Sequence, residues 1–206
     1  MLNRKFTTFN PVLTIAKSLP NIKQMGLDTV EIIVDIENCF NIHIEDEDAA
    51  RIRTVGELID HVWLLVKKEE SNSCLNQIIF FRIRKFFTAK HAIIPKEFKP
   101  YLRINQIIIK EHLDQVVIDL ENELNLTIPN ISNCWIINSK SIRFSDTIQD
   151  LVDKIIFDNM QFISKEKPIS KTTVAGVIKY ILKEISGLEI KDIPESAAIA
   201  NDLGIS

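Results

Sequence analysis

The fold expected for this chain rests on the segment LDTVEIIVDIENCF, residues 27–40. Its apolar residues Val30, Ile33, Val34 and Phe40 recur at close to the 3.6-residue period of an α-helix, with acidic residues between them. This spacing predicts an amphipathic helix that packs an apolar stripe against neighbouring helices and presents carboxylates to solvent.

Two more helical elements are predicted directly after this segment. The stretch 45–52 begins with acidic residues and predicts a short helical turn. Thr54 and Glu57 have the spacing of a capping box, in which each side chain bonds a free backbone N–H at the start of a helix. The apolar residues that follow at helical spacing are Val55, Leu58, Ile59, Val62 and Val66. The polar stretch 67–73 then predicts a linker.

The rest of the chain also has mainly helical periodicity. Apolar faces predict helices over 75–87, 113–124, 148–155 and 174–185, with Gly187 as the C-cap of the last one. The stretch 104–109 is interpreted as a loop that leads into a helix. A small β-hairpin is predicted near 135–144, with its turn at 138–140. Only five glycines and seven prolines occur in 206 residues, which favours an all-α fold over a turn-rich β fold.

Part of the first segment recurs later in the chain. The stretch Asp35–Ile44 is matched by Asp119–Ile128, with identical Asp, Glu and Asn residues in step with interchangeable apolar ones. Downstream, Thr54–Asp60 is matched in the same way by Thr147–Asp153. Amphipathic helices share a binary pattern by necessity, but the matched asparagines favour a true repeat.

Composition excludes several classes of protein. A hydrophobic content of 46% and a mean hydropathy of +0.06 provide for folded cores, and a net charge of −3 indicates no particular partner. Cys39, Cys74 and Cys134 lie far apart, so we expect reduced packing residues in a cytoplasmic protein and no zinc site. The four histidines occur singly, and no catalytic motif is present, so no enzyme and no metal are expected. No apolar run is long enough for a membrane span, and residues 1–21 make a poor signal peptide.

The first segment resembles a known family. The series Leu27–Ile32, Glu37, Phe40, Ile42, Ile44 and Ile52–Val55 is similar to helices II to IV of an acyl carrier protein. The resemblance implies tandem four-helix bundles. After an N-terminal extension at 1–26, the carrier-like unit occupies 27–68 and a diverged second unit 74–160. Residues 170–206 resemble helix I and its loop, including Asp202-Leu203-Gly204.

The same resemblance identifies a missing residue. Family members attach 4′-phosphopantetheine to a serine within Asp-Ser-Leu, at a helix N-terminus whose free N–H groups favour the phosphate. Here the triplet is Met25-Gly26-Leu27, and the repeat places Lys110 at the equivalent position. No cofactor is therefore expected, because Gly26 has no hydroxyl group. Ser206, which follows the Asp-Leu-Gly of the third piece, is the alternative modification site.

The two incomplete pieces suggest a hypothesis about assembly. A carrier bundle without helix I exposes an apolar groove, at a cost of roughly 25 cal/mol per Å² of uncovered apolar area. Residues 172–203 would supply the missing helix to the unit at 27–66, within one chain or by exchange between two copies. The alternative is that the chain stops short of a third full module.

Charge patterning indicates the kind of partner. The resemblance implies that Asp28, Glu31 and Asp35 dock basic patches on acyl-pathway enzymes. A solvated helix face is the plainer interpretation, and the basic segment Arg82–Lys110 is a third option if the two faces meet within the protein. Isoleucines and phenylalanines interrupt that basic segment at core spacing, so nucleic-acid binding is not expected.

Three functions follow from this reading. The preferred one is a non-catalytic docking or regulatory module of fatty-acid or related acyl metabolism. The first alternative is a functional phosphopantetheine carrier, modified at Ser206 or at an unaligned serine. The second alternative is a structural multimerisation module.

Overall fold

The computed structural model describes residues 27–66, 74–132 and 141–205. This part of the chain is mostly helical and contains a small two-stranded sheet, which confirms the predicted fold class. The helices, in chain order, are α1 Leu27–Phe40, α2 Asp46–Ala49, α3 Val55–Leu65, α4 Leu75–Lys90, α5 Leu113–Leu124, α6 Ile148–Glu166, α7 Lys171–Ser186 and α8 Ile199–Asp202. Short 3₁₀ turns cover Ile104–Gln106, Lys110–His112 and Ile190–Asp192.

The helix ends follow the local sequence signals. Thr54 and Thr147 each cap a helix, and the side chain three residues later closes a capping box at α3 and α6. Gly187 ends α7 in the left-handed conformation, with φ at 73°, as its position after the apolar run predicts. The linker at 67–73 lies outside the described residues.

The buried face of α1 differs from the predicted one. Ile32, Ile36, Cys39 and Phe40 are buried, whereas Val34 is 45% exposed. The prediction placed Val34 in the core because it counted spacing among apolar residues alone. In α4, the spacing of apolar residues over 75–87 predicts that Ile78 faces inward, but it is likewise 45% exposed. The predicted faces of α3 and α6 are confirmed in full.

The helices pack as two groups. In the first group, α7 lies against α1 and α3. In the second group, α4 lies against α5 and α6. Helix α6 also packs against α1 and α7, so the two groups share one continuous apolar core.

Each group contains an equivalent set of three backbone hydrogen bonds between a loop and a helix start. In the first group a loop after α7 pairs with the start of α3, and in the second group a loop after α4 pairs with the start of α6. The first-group bonds are Val55 N–H to Ala197 O at 3.1 Å, Gly56 N–H to Glu195 O at 2.8 Å and Ile199 N–H to Arg53 O at 3.0 Å. The second-group bonds are Ile148 N–H to Leu102 O at 2.8 Å, Gln149 N–H to Pro100 O at 2.9 Å and Ile104 N–H to Asp146 O at 2.9 Å. Each residue of one loop differs in number from its counterpart in the other loop by a constant amount, and the same holds for the two helix starts.

The ends of α1 and α5 are also alike. Asn41 and Asn125 follow these helices with positive φ values of 53° and 54°. The Glu37 carboxylate accepts a hydrogen bond from the Ile44 N–H at 2.8 Å, and the Glu121 carboxylate accepts one from Ile128 at 3.1 Å. The matched asparagines therefore both end a helix, since asparagine tolerates the left-handed conformation. The matched glutamates both bond the backbone that follows.

The small sheet differs from the predicted hairpin. Strand β1, Asn130–Ser132, pairs in parallel with β2, Ser141–Arg143, whereas a hairpin pairs its strands antiparallel. The second predicted strand overlaps β2, but Trp135 and the turn at 138–140 lie outside the described residues. The partner of β2 in the described part of the chain is the segment directly after Ile128, which buries Ile131 and Ile142 side by side.

Asp153 is a partly buried carboxylate between α4 and α6. It accepts hydrogen bonds from Asn76 Nδ2 at 2.5 Å and Gln149 Nε2 at 2.8 Å, and burial raises its pKa to about 6. The folded state therefore binds more protons than the unfolded state between the ordinary aspartate pKa and this value. Stability then falls as pH rises through that window.

Substitution of Asp153 by asparagine tests this assignment. Asp153→Asn keeps an acceptor oxygen and removes the buried charge, so we expect the unfolding free energy to rise by about 1–3 kcal/mol at neutral pH. Below about pH 4 the wild type and the variant should be nearly equal. Urea denaturation across this pH range measures the difference, with the exposed Asp192→Asn as control. A gain that does not depend on pH would contradict the assignment.

Candidate docking face and carrier position

Three carboxylates lie on one side of α1. Asp28, Glu31 and Asp35 are three and four residues apart, which places them on a common helix face. Glu31 is exposed, whereas Asp28 and Asp35 are half-buried, and the exposed Val34 lies next to them in the sequence. We call Asp28, Glu31 and Asp35 the acidic face.

The charge of the acidic face is uncompensated among the described residues. No lysine or arginine in 27–66, 74–132 or 141–205 forms an ion pair with any of the three carboxylates. Burial, and then the negative charge of Glu31, raises the pKa of Asp35. Elsewhere in the first group, Asp60 pairs with Lys171. A surface of like charges without counter-ions attracts a cationic partner.

The predicted basic segment does not neutralise this face. Lys90 pairs with Asp119 at 3.4 Å within the second group. The Arg82 guanidinium donates a hydrogen bond to the Glu123 carbonyl oxygen. Within the described ranges, no ion pair joins the segment Arg82–Lys110 to an acidic residue of 27–66, so the two charged surfaces are not partners in this structure.

The carrier position adjoins the start of α1. Helix α1 begins at Leu27, whereas Gly26 and the alternative site Ser206 lie outside the described residues. Glycine has no hydroxyl group, so the residue at this position does not fit a phosphopantetheine ester. Lys110, which the sequence match predicts to be equivalent, is exposed in the 3₁₀ turn before α5 and also offers no hydroxyl.

A small cavity lies beneath α1. Its volume is about 80 Å³, and Ile32, Ile33, Ala49 and Ile199 contribute to its walls. Typical ligand sites have about 300–1,000 Å³. The cavity beneath α1 is therefore too small, in this conformation, to hold a ligand of ordinary size.

Among the described residues, the remaining reactive groups form no further site. Cys39 is buried, and burial together with Asp35 and Asp158 raises its pKa to about 12, which makes the thiol a poor nucleophile. Cys74 is a half-buried free thiol, and Cys134 lies outside the described residues. Across the described ranges, no group of three histidine, cysteine, aspartate or glutamate side chains is placed to hold a metal ion. The same ranges contain no helix with both the length and the apolarity that a bilayer crossing needs.

Comparison with known proteins identifies one local similarity. A stretch of 37 residues is 53% identical to the acyl carrier proteins of Chlorobium phaeobacteroides, Chlorobium phaeovibrioides and Chlorobium luteolum. The stretch is 18% of this chain and 47% of each relative, so the chain spans about half the length of the curated relatives it matches. No family model and no solved structure matches the chain. The chain therefore contains an acyl-carrier-like region.

The electrostatics of the acidic face give a direct test. In Glu31→Gln, we expect the pKa of Asp35 to fall towards its ordinary value, because one of the two causes of its elevation is removed. NMR titration of the carboxyl carbons measures this shift. Asp28→Asn is the matched control and should move the pKa of Asp35 less. An unchanged pKa in Glu31→Gln would show that the two carboxylates do not share a face.

Proposed function

We propose that the chain is a non-enzymatic docking or regulatory module of fatty-acid or related acyl metabolism. In this proposal the first group of helices keeps the shape and acidic face of an acyl carrier protein but lacks the prosthetic group. The acidic face would bind a basic patch on an acyl-pathway enzyme. The observation that carries the proposal is the charge of Asp28, Glu31 and Asp35, which no lysine or arginine among the described residues pairs with, on a helix of the acyl-carrier-like region.

Two observations favour docking over cargo transport. Gly26 removes the hydroxyl group on which attachment depends. The cavity of about 80 Å³ beneath α1 is small for an enclosed ligand. A module that binds carrier-specific enzymes without cargo would compete with loaded carriers for the same basic patch, which is a regulatory effect.

We also propose that α7 and α8 supply helix I and the following loop to the first group. The support is their packing: α7 covers α1 and α3, and the loop before α8 forms backbone hydrogen bonds with the start of α3. The second group has the same arrangement, with α4 in the place of α7. This agreement supports a tandem, diverged pair of carrier-like units, of which the first takes its helix I from the far end of the chain.

A matched pair of substitutions tests this connectivity. Ile178 in α7 and Ile83 in α4 are both fully buried and occupy equivalent positions. Each change to alanine should cost about 2–5 kcal/mol through the cavity it leaves. We expect Ile178→Ala to lower hydrogen-exchange protection in α1 and α3 first, and Ile83→Ala to lower it in α5 first. Loss of protection in α5 alone for Ile178→Ala would refute the assignment.

Intact mass tests the missing prosthetic group. After co-expression with a phosphopantetheinyl transferase, we expect the wild-type chain to gain no mass, because Gly26 offers no hydroxyl group. The double variant Met25→Asp, Gly26→Ser restores the family triplet and should gain one phosphopantetheine. A gain on the wild type that Ser206→Ala abolishes would instead establish the functional-carrier alternative.

The restored variant also reports on docking. Adding Glu31→Lys to it should slow the modification about tenfold or more, with an effect that weakens at high salt, because charge reversal removes electrostatic steering. Glu47→Lys is the matched control on α2, since it reverses an exposed acidic residue outside the acidic face. Equal slowing by both variants would show that overall charge, not the acidic face, governs the encounter.

A further inference from the structure

An apolar cavity of about 490 Å³ lies in the second group, far along the chain from the acidic face. It forms where the first half of α4, the end of α5, the end of α6 and the link before α7 meet. Its walls include Ile78, Leu126, Phe162 and Ile169. The volume is within the range of about 300–1,000 Å³ that is usual for small-molecule sites.

At the equivalent place in the first group, α6 packs against the end of α1. There the Ser164 hydroxyl donates a hydrogen bond to the Phe40 carbonyl oxygen at 3.3 Å, and Cys39 contacts the Phe157 carbonyl oxygen. The corresponding end of α5 borders the cavity instead. Two large apolar side chains at the cavity remain exposed, Ile78 at 45% and Phe162 at 56%. Exposed apolar residues around a concave surface are typical of a binding site.

The charge at the cavity favours an anion. Arg82 and Lys167 contribute to the lining, against the single carboxylate of Glu166. Arg82 is held in place by its hydrogen bond to the Glu123 carbonyl oxygen. Because this acceptor is neutral, it does not neutralise the positive charge of the guanidinium. A guanidinium is matched in geometry and charge to a carboxylate.

From these features we propose that the cavity binds a fatty acid non-covalently. Its aliphatic tail would lie along Ile78, Leu126 and Phe162, and its carboxylate would pair with Arg82. The apolar wall suits the tail, and Arg82, which forms no ion pair with an acidic residue among the described ones, suits the head. The site does not depend on the docking role proposed for the first group.

Calorimetric titration of the full chain with dodecanoate, below its micelle concentration, tests the proposal. We expect one-to-one binding. Dodecyltrimethylammonium, which has the same tail and a cationic head, should bind at least about tenfold more weakly. Arg82→Gln keeps a donor for the Glu123 carbonyl but removes the charge, so it should weaken dodecanoate binding about tenfold or more.

Further variants test the apolar wall of the cavity and provide controls. Ile78→Glu places a charge in the wall and should abolish binding without unfolding the protein, because Ile78 is partly exposed. Ile118→Glu and Lys85→Gln change exposed residues away from the cavity, and their affinities should stay within about twofold of the wild type. Circular dichroism checks the fold of each variant.

Several results would overturn the proposal. They are absence of dodecanoate binding, equal affinity for the cationic amphiphile, or equal losses in the cavity and control variants. Sedimentation velocity can give a further result that would overturn the proposal. If the wild type forms a dimer that Ile78→Glu dissociates, a second copy of the chain covers the cavity and the fatty-acid assignment is wrong.

Discussion

Burial of α6 on several sides is the constraint on which the arrangement of the helices depends. Ile148, Leu151, Val152, Ile155 and Met160 have almost no exposed surface, and the helix contacts α1, α4 and α7. These apolar side chains are removed from water only when the helix packs against both groups. The two groups therefore meet on α6 and fold around a common interior. Asn159 of α6 adds a polar link to the segment after α5. Its side chain accepts a hydrogen bond from the Thr127 N–H and donates one to the Thr127 carbonyl oxygen.

The repeated hydrogen bonds at the starts of α3 and α6 have a simple cause. The first N–H groups of any helix lack partners within the helix and must be satisfied elsewhere. Here the carbonyl oxygens of a neighbouring loop accept them in both groups, and the capping boxes of Thr54 and Thr147 satisfy others. In this way the loop that follows α4 or α7 is fixed against the next helix. Gly56 permits one of these close approaches, since a Cβ there would lie 3.1 Å from the Glu195 carbonyl oxygen.

The two groups expose different chemistry. The first group presents carboxylates that no lysine or arginine in the described part of the chain pairs with, which suits recognition by a basic protein surface. The second group has an apolar cavity with a fixed arginine at its edge, which suits an amphiphile. The difference follows from the position of α6: it covers the end of α1, whereas the equivalent end of α5 borders the open cavity.

The sequence by itself determined the helices, their caps and the local repeat, because these depend on neighbours within a few residues. Thr54 with Glu57, Gly187, and the matched residues Glu37 and Glu121 could all be identified in this way. It also indicated the acidic face, since helical spacing fixes which side chains share a side of α1. The packing of α7 on α1 and α3 was one of two hypotheses from the sequence, and the contacts of the folded chain are what put α7 there. Only the tertiary structure decided that Val34 and Ile78 are exposed and that β1 and β2 run parallel. These outcomes depend on contacts between residues distant in the chain, and such contacts leave no periodic signal in the sequence.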